Sequence, residues 1–128
     1  MDPRRLHQLP ALGYEGYKRV IQRSSVHVYW TVPFILSWSL MEAMASGCCI
    51  VASATPPVEE MITSGDQGQL VNFFDPDALA QQVDHLLQNP EQRQKLGQRA
   101  RQRILEGGYD IKNCLKQQVE LLNQVIRG

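Results

Sequence analysis

Several things are missing from this 128-residue sequence, and each absence removes a class of function. No apolar run approaches the 20 or so residues needed to span a bilayer, and neither a membrane span nor a secretory leader is expected. Neither sign of charge is in excess, with 13 basic and 13 acidic residues, so no polybasic face for nucleic acid or anionic lipid is expected. Cysteine is scarce and odd in number (Cys48, Cys49 and Cys114), with no CxxC or Cys/His spacing for zinc. Reduced thiols and a cytoplasmic setting follow as the simplest expectation. His7, His27 and His85 stand apart, and no Ser/His/Asp grouping occurs at recognisable spacing. There is no internal repeat and no low-complexity segment.

What remains is an ordinary globular composition, 43% hydrophobic and 20% charged, long enough for one domain with a core. The chain is organised around residues 24–60, which read as strand, loop, helix, strand, loop. Residues 26–30 are β-rich, and residues 49–52 form the nearly continuous apolar run of a parallel strand covered on both faces. Between them a helix starts at Ser37 or Ser39 and stops at Gly47, whose simplest role is a left-handed cap. In such a βαβ unit ligands bind beyond the carboxyl ends of the strands, here residues 31–38 and 53–58.

Around this unit, residues 5–12 read as a weak strand interrupted by Pro10, and residues 14–23 as a short amphipathic helix through Tyr17, Val20 and Ile21. Residues 54–57, with paired prolines, read as a turn, residues 58–63 as a helical piece, and residues 69–73 as the last strand. Asp75-Pro76 opens a helix with Leu79, Val83, Leu86 and Leu87 on its buried stripe. Asn89-Pro90 opens another, with Gln92 placed for a capping box. That helix turns Leu96, Ala100 and Ile104 inward and Arg93, Lys95, Arg99, Arg101 and Arg103 to water, until Gly107-Gly108 ends it. A final helix over 111–127 carries Leu115, Val119, Leu122 and Ile126 on one face. The expected fold is therefore α/β: a Rossmann-like three-layer domain with a small parallel sheet of about four strands and a mostly helical carboxyl-terminal half. Residues 1–128 are expected to be one domain, and one cut from something larger.

Glu42 is the sharpest candidate. It lies in the first turns of the central helix, whose amino end can hold an anion through the N–H groups of Ser37, Trp38 and Ser39. A carboxylate just beyond can accept hydrogen bonds from ribose hydroxyls. The competing reading is structural, because Ser39-Leu40-Met41-Glu42 fits a capping box in which Glu42 serves only the backbone. Trp38 is either a gate beside the anion site or a half-buried packing aromatic. Thr55, Pro56 and Glu59 follow the second strand of the unit and are candidate cleft-lining residues, although Glu59 can equally serve the start of the next short helix.

The stretch from Phe34-Ile35-Leu36-Ser37-Trp38-Ser39-Leu40-Met41-Glu42-Ala43-Met44-Ala45 through Ser46-Gly47 to Val51-Ala52-Ser53 resembles the donor-binding region of the retaining family 4 glycosyltransferases, which have the GT-B fold. Gly65-Asp66-Gln67-Gly68-Gln69-Leu70-Val71 and Asp75-Pro76-Asp77-Ala78-Leu79 are similar to that family's following turn, strand and helix. The resemblance implies that Glu42 is the second glutamate of an E-x7-E motif and binds the ribose of a sugar nucleotide. It implies that Leu36, Ser37, Trp38 and Ser39 approach the donor diphosphate and sugar. No catalytic residue and no metal cofactor are implied, and the sugar nucleotide enters as substrate. Two departures stand out: Phe34 replaces the first glutamate, and the amino-terminal acceptor domain with its diphosphate-gripping Arg and Lys is absent from the sequence. The chain by itself is expected to be inactive, with self-association through an exposed sheet edge. The full-length protein is expected to be cytoplasmic or peripheral to a membrane.

Overall fold

The computed structural model describes residues 3–127. Its centre is a parallel three-stranded sheet of β1 (His27–Tyr29), β2 (Ile50–Ser53) and β3 (Gln69–Val71), in the order β1-β2-β3. His27 pairs with Ile50 and Val51 with Gln69. Six helices accompany it: α1 (Tyr14–Arg23), α2 (Trp38–Ala45), α3 (Pro56–Glu59), α4 (Pro76–Gln88), α5 (Pro90–Glu106) and α6 (Ile111–Arg127).

The apolar run of β2 is explained by its position, since every residue from Ile50 to Ser53 is buried. Alternate side chains go to opposite faces. Ile50 and Ala52 pack with Ile21 of α1, Leu40, Ala43 and Met44 of α2, Val58 of α3 and Ala100 of α5. Cys49 and Val51 pack on the other face with Leu86 of α4 and Leu96 of α5. The result is three layers, helix on sheet on helix.

Helix α5 bridges the two faces and lies close against α2. A Cβ on Gly97 would fall 2.2 Å from the carbonyl oxygen of Gly47, so only glycine permits this approach. Gly47 itself has φ of +76°, the left-handed conformation that closes α2.

The structure departs from the expectations in several places. Residues 5–12 form no strand: a short 3-10 turn at Pro3–Arg5 leads into irregular chain, so the sheet has three strands rather than four. Pro10 interrupts the segment and supplies no donor for a ladder. Leu9, Pro10 and Leu12 instead line an apolar groove with Val20 and Ile21 of α1. Pro56 and Pro57 do not form a turn but begin α3, which runs over Pro56–Glu59 and not over 58–63. Both are tolerated there because the first turn has no intrahelical donors to lose.

Asp75 caps α4 as expected, its Oδ1 accepting from Ala78 N–H at 2.8 Å. The expected capping box at Gln92 is absent. Asn89 turns its amide back to the His85 carbonyl, and Gln92 contacts the His85 ring. The basic residues of α5 are not simply solvated. Arg93 donates to the carbonyls of Leu86 and Leu87, Arg101 to that of Ala45 and Arg103 to that of Glu60. Three of the arginines thus tie α5 to carbonyls near the ends of α4, α2 and α3. Helix α6 has no buried residue and carries its apolar stripe exposed. Among the described residues no helix is long and apolar enough to cross a membrane.

Candidate functional site

The carboxyl ends of the three strands lead into the loops after β1, β2 and β3, and the amino end of α2 follows the first of these. One buried hydroxyl holds the loops in register. Ser53 Oγ accepts from the Thr31 N–H at 3.0 Å and donates to the Thr31 carbonyl at 2.7 Å. Both backbone groups at the start of the β1 loop are thereby satisfied by the last residue of β2, which anchors that loop.

From Thr31 the chain runs outward to α2. Phe34 and Ile35 project into solvent, Phe34 at 71% exposure, while Leu36 packs on the core beneath them. Ser37 caps α2: its backbone is extended and its Oγ accepts from Ser39 N–H at 3.3 Å. This excludes the capping box at Ser39-x-x-Glu42, because the cap is two residues earlier and Glu42 lies a full turn inside the helix. Glu42 is therefore not explained as a cap. Trp38 is not a packing aromatic either, being 78% exposed.

The three expected backbone donors at the helix start are already partly used. Ser37 N–H donates to the Tyr29 hydroxyl at 3.1 Å, and Ser39 N–H to Ser37 Oγ. Both bonds are at the long end of the normal range, so an anion can compete for them. The two serine hydroxyls lie 2.9 Å apart and supply further donors at the same point.

Glu42 faces α1. It lines a cleft of about 250 Å³ with Tyr14, Tyr17, Lys18 and Arg101. The Tyr17 phenol is held above its ordinary range first by burial, then by its hydrogen bond to the Glu42 carboxylate and that carboxylate's charge. Lys18 pairs with Glu15 at 2.8 Å, which leaves its ammonium 5.9 Å from the Tyr14 ring centre. The cleft thus combines a carboxylate acceptor, two aromatic rings and two cations along the carboxyl-terminal half of α2, with Ala45 and Ser46 in its wall. Such a set suits hydroxyl groups, a planar ring and an anion held together. The tyrosines carried a sequence signal, their i,i+3 spacing, but that spacing reads equally as a core-facing stripe.

A second cleft is lined by residues that follow all three strands. Thr55 lies in its wall, 2% exposed, whereas Pro56 and Glu59 are exposed on α3. The structure therefore brings Glu42 together with α1, and Ser37, Trp38 and Ser39 together at the helix start. Thr55 belongs to the neighbouring cleft. Among the described residues no group of three or more His, Cys, Asp or Glu is arranged to hold a metal.

Residues 36–103, just over half of the chain, match the family model for glycosyl transferases group 1. The chain belongs to this family. The matched stretch runs from Leu36 through α2, β2, β3 and α4 into α5, and so contains Glu42 and the α2 cap. Over 67 residues the chain is 34% identical to the N-acetyl-alpha-D-glucosaminyl L-malate synthase of Bacillus anthracis. That match covers 52% of this chain and 18% of the synthase.

Several solved structures share the fold. The sucrose-phosphate synthase of Thermosynechococcus elongatus superposes with a TM-score of 0.85 at 23% identity, over 93% of this chain and 30% of the synthase. Alr3699/HepE of Anabaena, solved in complex with UDP-glucose, superposes with a TM-score of 0.77 at 17% identity, over 83% of this chain and 29% of that one. The carboxyl-terminal domain of a glycosyl transferase group 1 protein (LpcC) of Francisella tularensis gives 0.71 at 20%, over 81% of this chain and 53% of that one. The chain thus spans a minor part of the curated relative and about a third of the first two of these structures. It has the α/β fold of a carboxyl-terminal glycosyltransferase domain.

Proposed function

We propose that this chain is the donor-binding part of a glycosyltransferase of the family 4 type, taking a sugar nucleotide and transferring its sugar with retention of configuration. The observation that carries the reading is the position of Glu42. It lies one turn inside α2, free of any capping duty, in a cleft with Tyr14, Tyr17 and Lys18. Its carboxylate accepts the ribose hydroxyls, displacing the Tyr17 hydroxyl or sharing with it. The tyrosine rings lie beside the base, and the Ser37–Ser39 donors take the diphosphate. The binding of UDP-glucose by a protein of the same fold supports this assignment.

Within such a site, charge builds on the leaving diphosphate as the sugar–oxygen bond lengthens. The positive end of α2 and the hydroxyls of Ser37 and Ser39 stabilise that charge, which lowers the barrier without any proton transfer from this chain. No metal is assigned. Phe34 occupies the place of the first glutamate and is exposed, so the sugar is recognised by backbone atoms and by Trp38 and Phe34. Acceptor binding and the remaining basic groups belong to an amino-terminal domain, and the 128 residues alone are inactive. We place the full-length protein in the cytoplasm or at a membrane surface.

Calorimetric titration with UDP, GDP and ADP sugars tests this, repeated on Glu42→Gln. Binding that the substitution weakens at least about tenfold supports the reading, as expected when a charged acceptor of two hydrogen bonds becomes neutral. Equal binding by both proteins would remove Glu42 from the site. A second reading, a nucleotide-binding module without transfer, is favoured by the exposed Phe34. In the full-length protein, failure of Phe34→Glu to raise an absent activity supports that reading. The unpaired outer side of β1 is proposed as a self-association edge. A monomer at every concentration in sedimentation would exclude it.

A further inference from the structure

The cleft among the loops after the three strands has a composition that the donor reading does not use. It encloses about 300 Å³ between the β1 loop (Val32, Pro33), the β2 loop (Ala54, Thr55) and the β3 loop (Asn72, Phe73, Phe74). Its walls are almost wholly apolar. Phe73 stacks on Trp30 at 5.5 Å and 22°, and Phe74 meets Phe73 edge-on at 5.2 Å and 88°. Phe74 is nonetheless 86% exposed, an aromatic ring fixed at the rim with one face open.

One polar group in the wall is unexplained. Thr55 Oγ1 is buried and has no hydrogen-bond partner, and Thr55 makes no side-chain cap for α3 although it occupies the cap position. Buried hydroxyls without partners are uncommon, because desolvation is then uncompensated. A bridging water is a poor answer, since it needs two to four polar partners and the lining offers few. The Asn72 side-chain oxygen Oδ1, also in the lining, already accepts from Phe74 N–H at 2.8 Å.

We propose that this cleft is a binding subsite for a planar aromatic group carrying one polar atom. The ring sits against Phe74 and the Val32–Pro33 wall, and its polar atom bonds the Thr55 hydroxyl once one staggered χ1 step brings that hydroxyl to the cleft surface. A cavity of about 150 Å³ holds benzene, so the space suffices for a single substituted ring. The cleft is preorganised, because the Ser53–Thr31 pair anchors the β1 loop and the Asn72–Phe74 bond shapes the β3 loop. As a subsite for the aglycone of an acceptor, it rests on the glycosyltransfer reading. As a ring-binding cleft it stands on its own geometry.

The test uses the whole 128-residue chain, labelled with nitrogen-15, titrated with phenol and with toluene. Phenol is expected to shift the amides of Val32, Ala54, Thr55 and residues 72–74, with a Kd on the order of 1 mM, and toluene to bind more weakly. Thr55→Val should weaken phenol about fivefold and leave toluene within about twofold, the effect of one net hydrogen bond. It should not lower the melting temperature, because the hydroxyl has no internal partner to lose. Phe74→Ala, at an exposed position, should weaken both ligands about threefold or more. Absence of shifts at these amides overturns the proposal, as does a loss of phenol binding no greater than that of toluene in Thr55→Val. A melting temperature lowered by that substitution overturns it too, by showing that the hydroxyl is already partnered. Phenol binding in a chain that binds no sugar nucleotide would keep the cleft and remove only its acceptor role.

Discussion

Gly97→Ala is the sharpest test of how the two long-range halves of the fold meet. Helix propensity favours this change by about 1 kcal/mol, since glycine in a helix interior costs about that much relative to alanine. The structure reverses the sign. The new Cβ would lie 2.2 Å from Gly47 O and 3.1 Å from Gly47 C, where real contacts stay above 3.0 Å. The neighbour cannot swing away, because it is backbone in a left-handed turn, held by Gly47 N–H to Met44 O at 2.9 Å and Cys48 N–H to Ala43 O at 3.1 Å. Helix α2 must therefore move from α5 by about 1 Å, an overpacking that costs roughly 1–3 kcal/mol or more. Thermal unfolding should then fall by about 5–10 °C for a domain of this size. Gly16→Ala in α1 is the control. Its Cβ would meet only Leu12 side-chain atoms at 3.6 Å or beyond, so propensity should prevail and stability rise by up to about 1 kcal/mol. Should Gly97→Ala melt at or above the parent, the close approach of α5 to the α2 turn is not as described.

Other consequences are open to simple measurement. In the native state an aromatic disulfide reagent at pH 8 should titrate Cys114 alone, because Cys48 and Cys49 are buried and their thiols are pushed up by that burial, Cys49 to about 11. In denaturant all three should react. The same shifts set the pH dependence. The folded state holds the two thiol protons more tightly than the unfolded chain, so stability should fall as pH rises from about 9 towards 11. His27, depressed by burial, acts in the opposite sense: its contribution is present above its ordinary value of 6.5 and should be lost as pH falls below it. Ser53→Ala leaves both Thr31 backbone groups without their partner and should cost about 1–3 kcal/mol in urea denaturation, with faster amide exchange at Thr31.

Much of the order of elements was legible in the residues. The continuous apolar run at 49–52 marked a strand buried on both faces, and Asp75-Pro76 and the glycines at 47 and 107 marked helix ends, because caps and parallel strands are specified by local chemistry. Glu42 too was visible as a candidate, and the family pattern around it was carried by contiguous residues. The tertiary structure decided what local chemistry leaves degenerate. Whether residues 5–12 pair depends on a neighbouring strand, which no local pattern supplies. Whether Ser37 or Ser39 caps α2 depends on the path of the loop that Ser53 and Tyr29 hold, and that choice alone separates a capping Glu42 from one that faces a cleft. The arginines of α5 read as a solvated face because their carbonyl acceptors lie on other elements, as far as 56 residues away in sequence. The second cleft and its unpartnered Thr55 hydroxyl exist only where three loops converge. Period and caps are written residue by residue, but partners distant in the chain are set by packing.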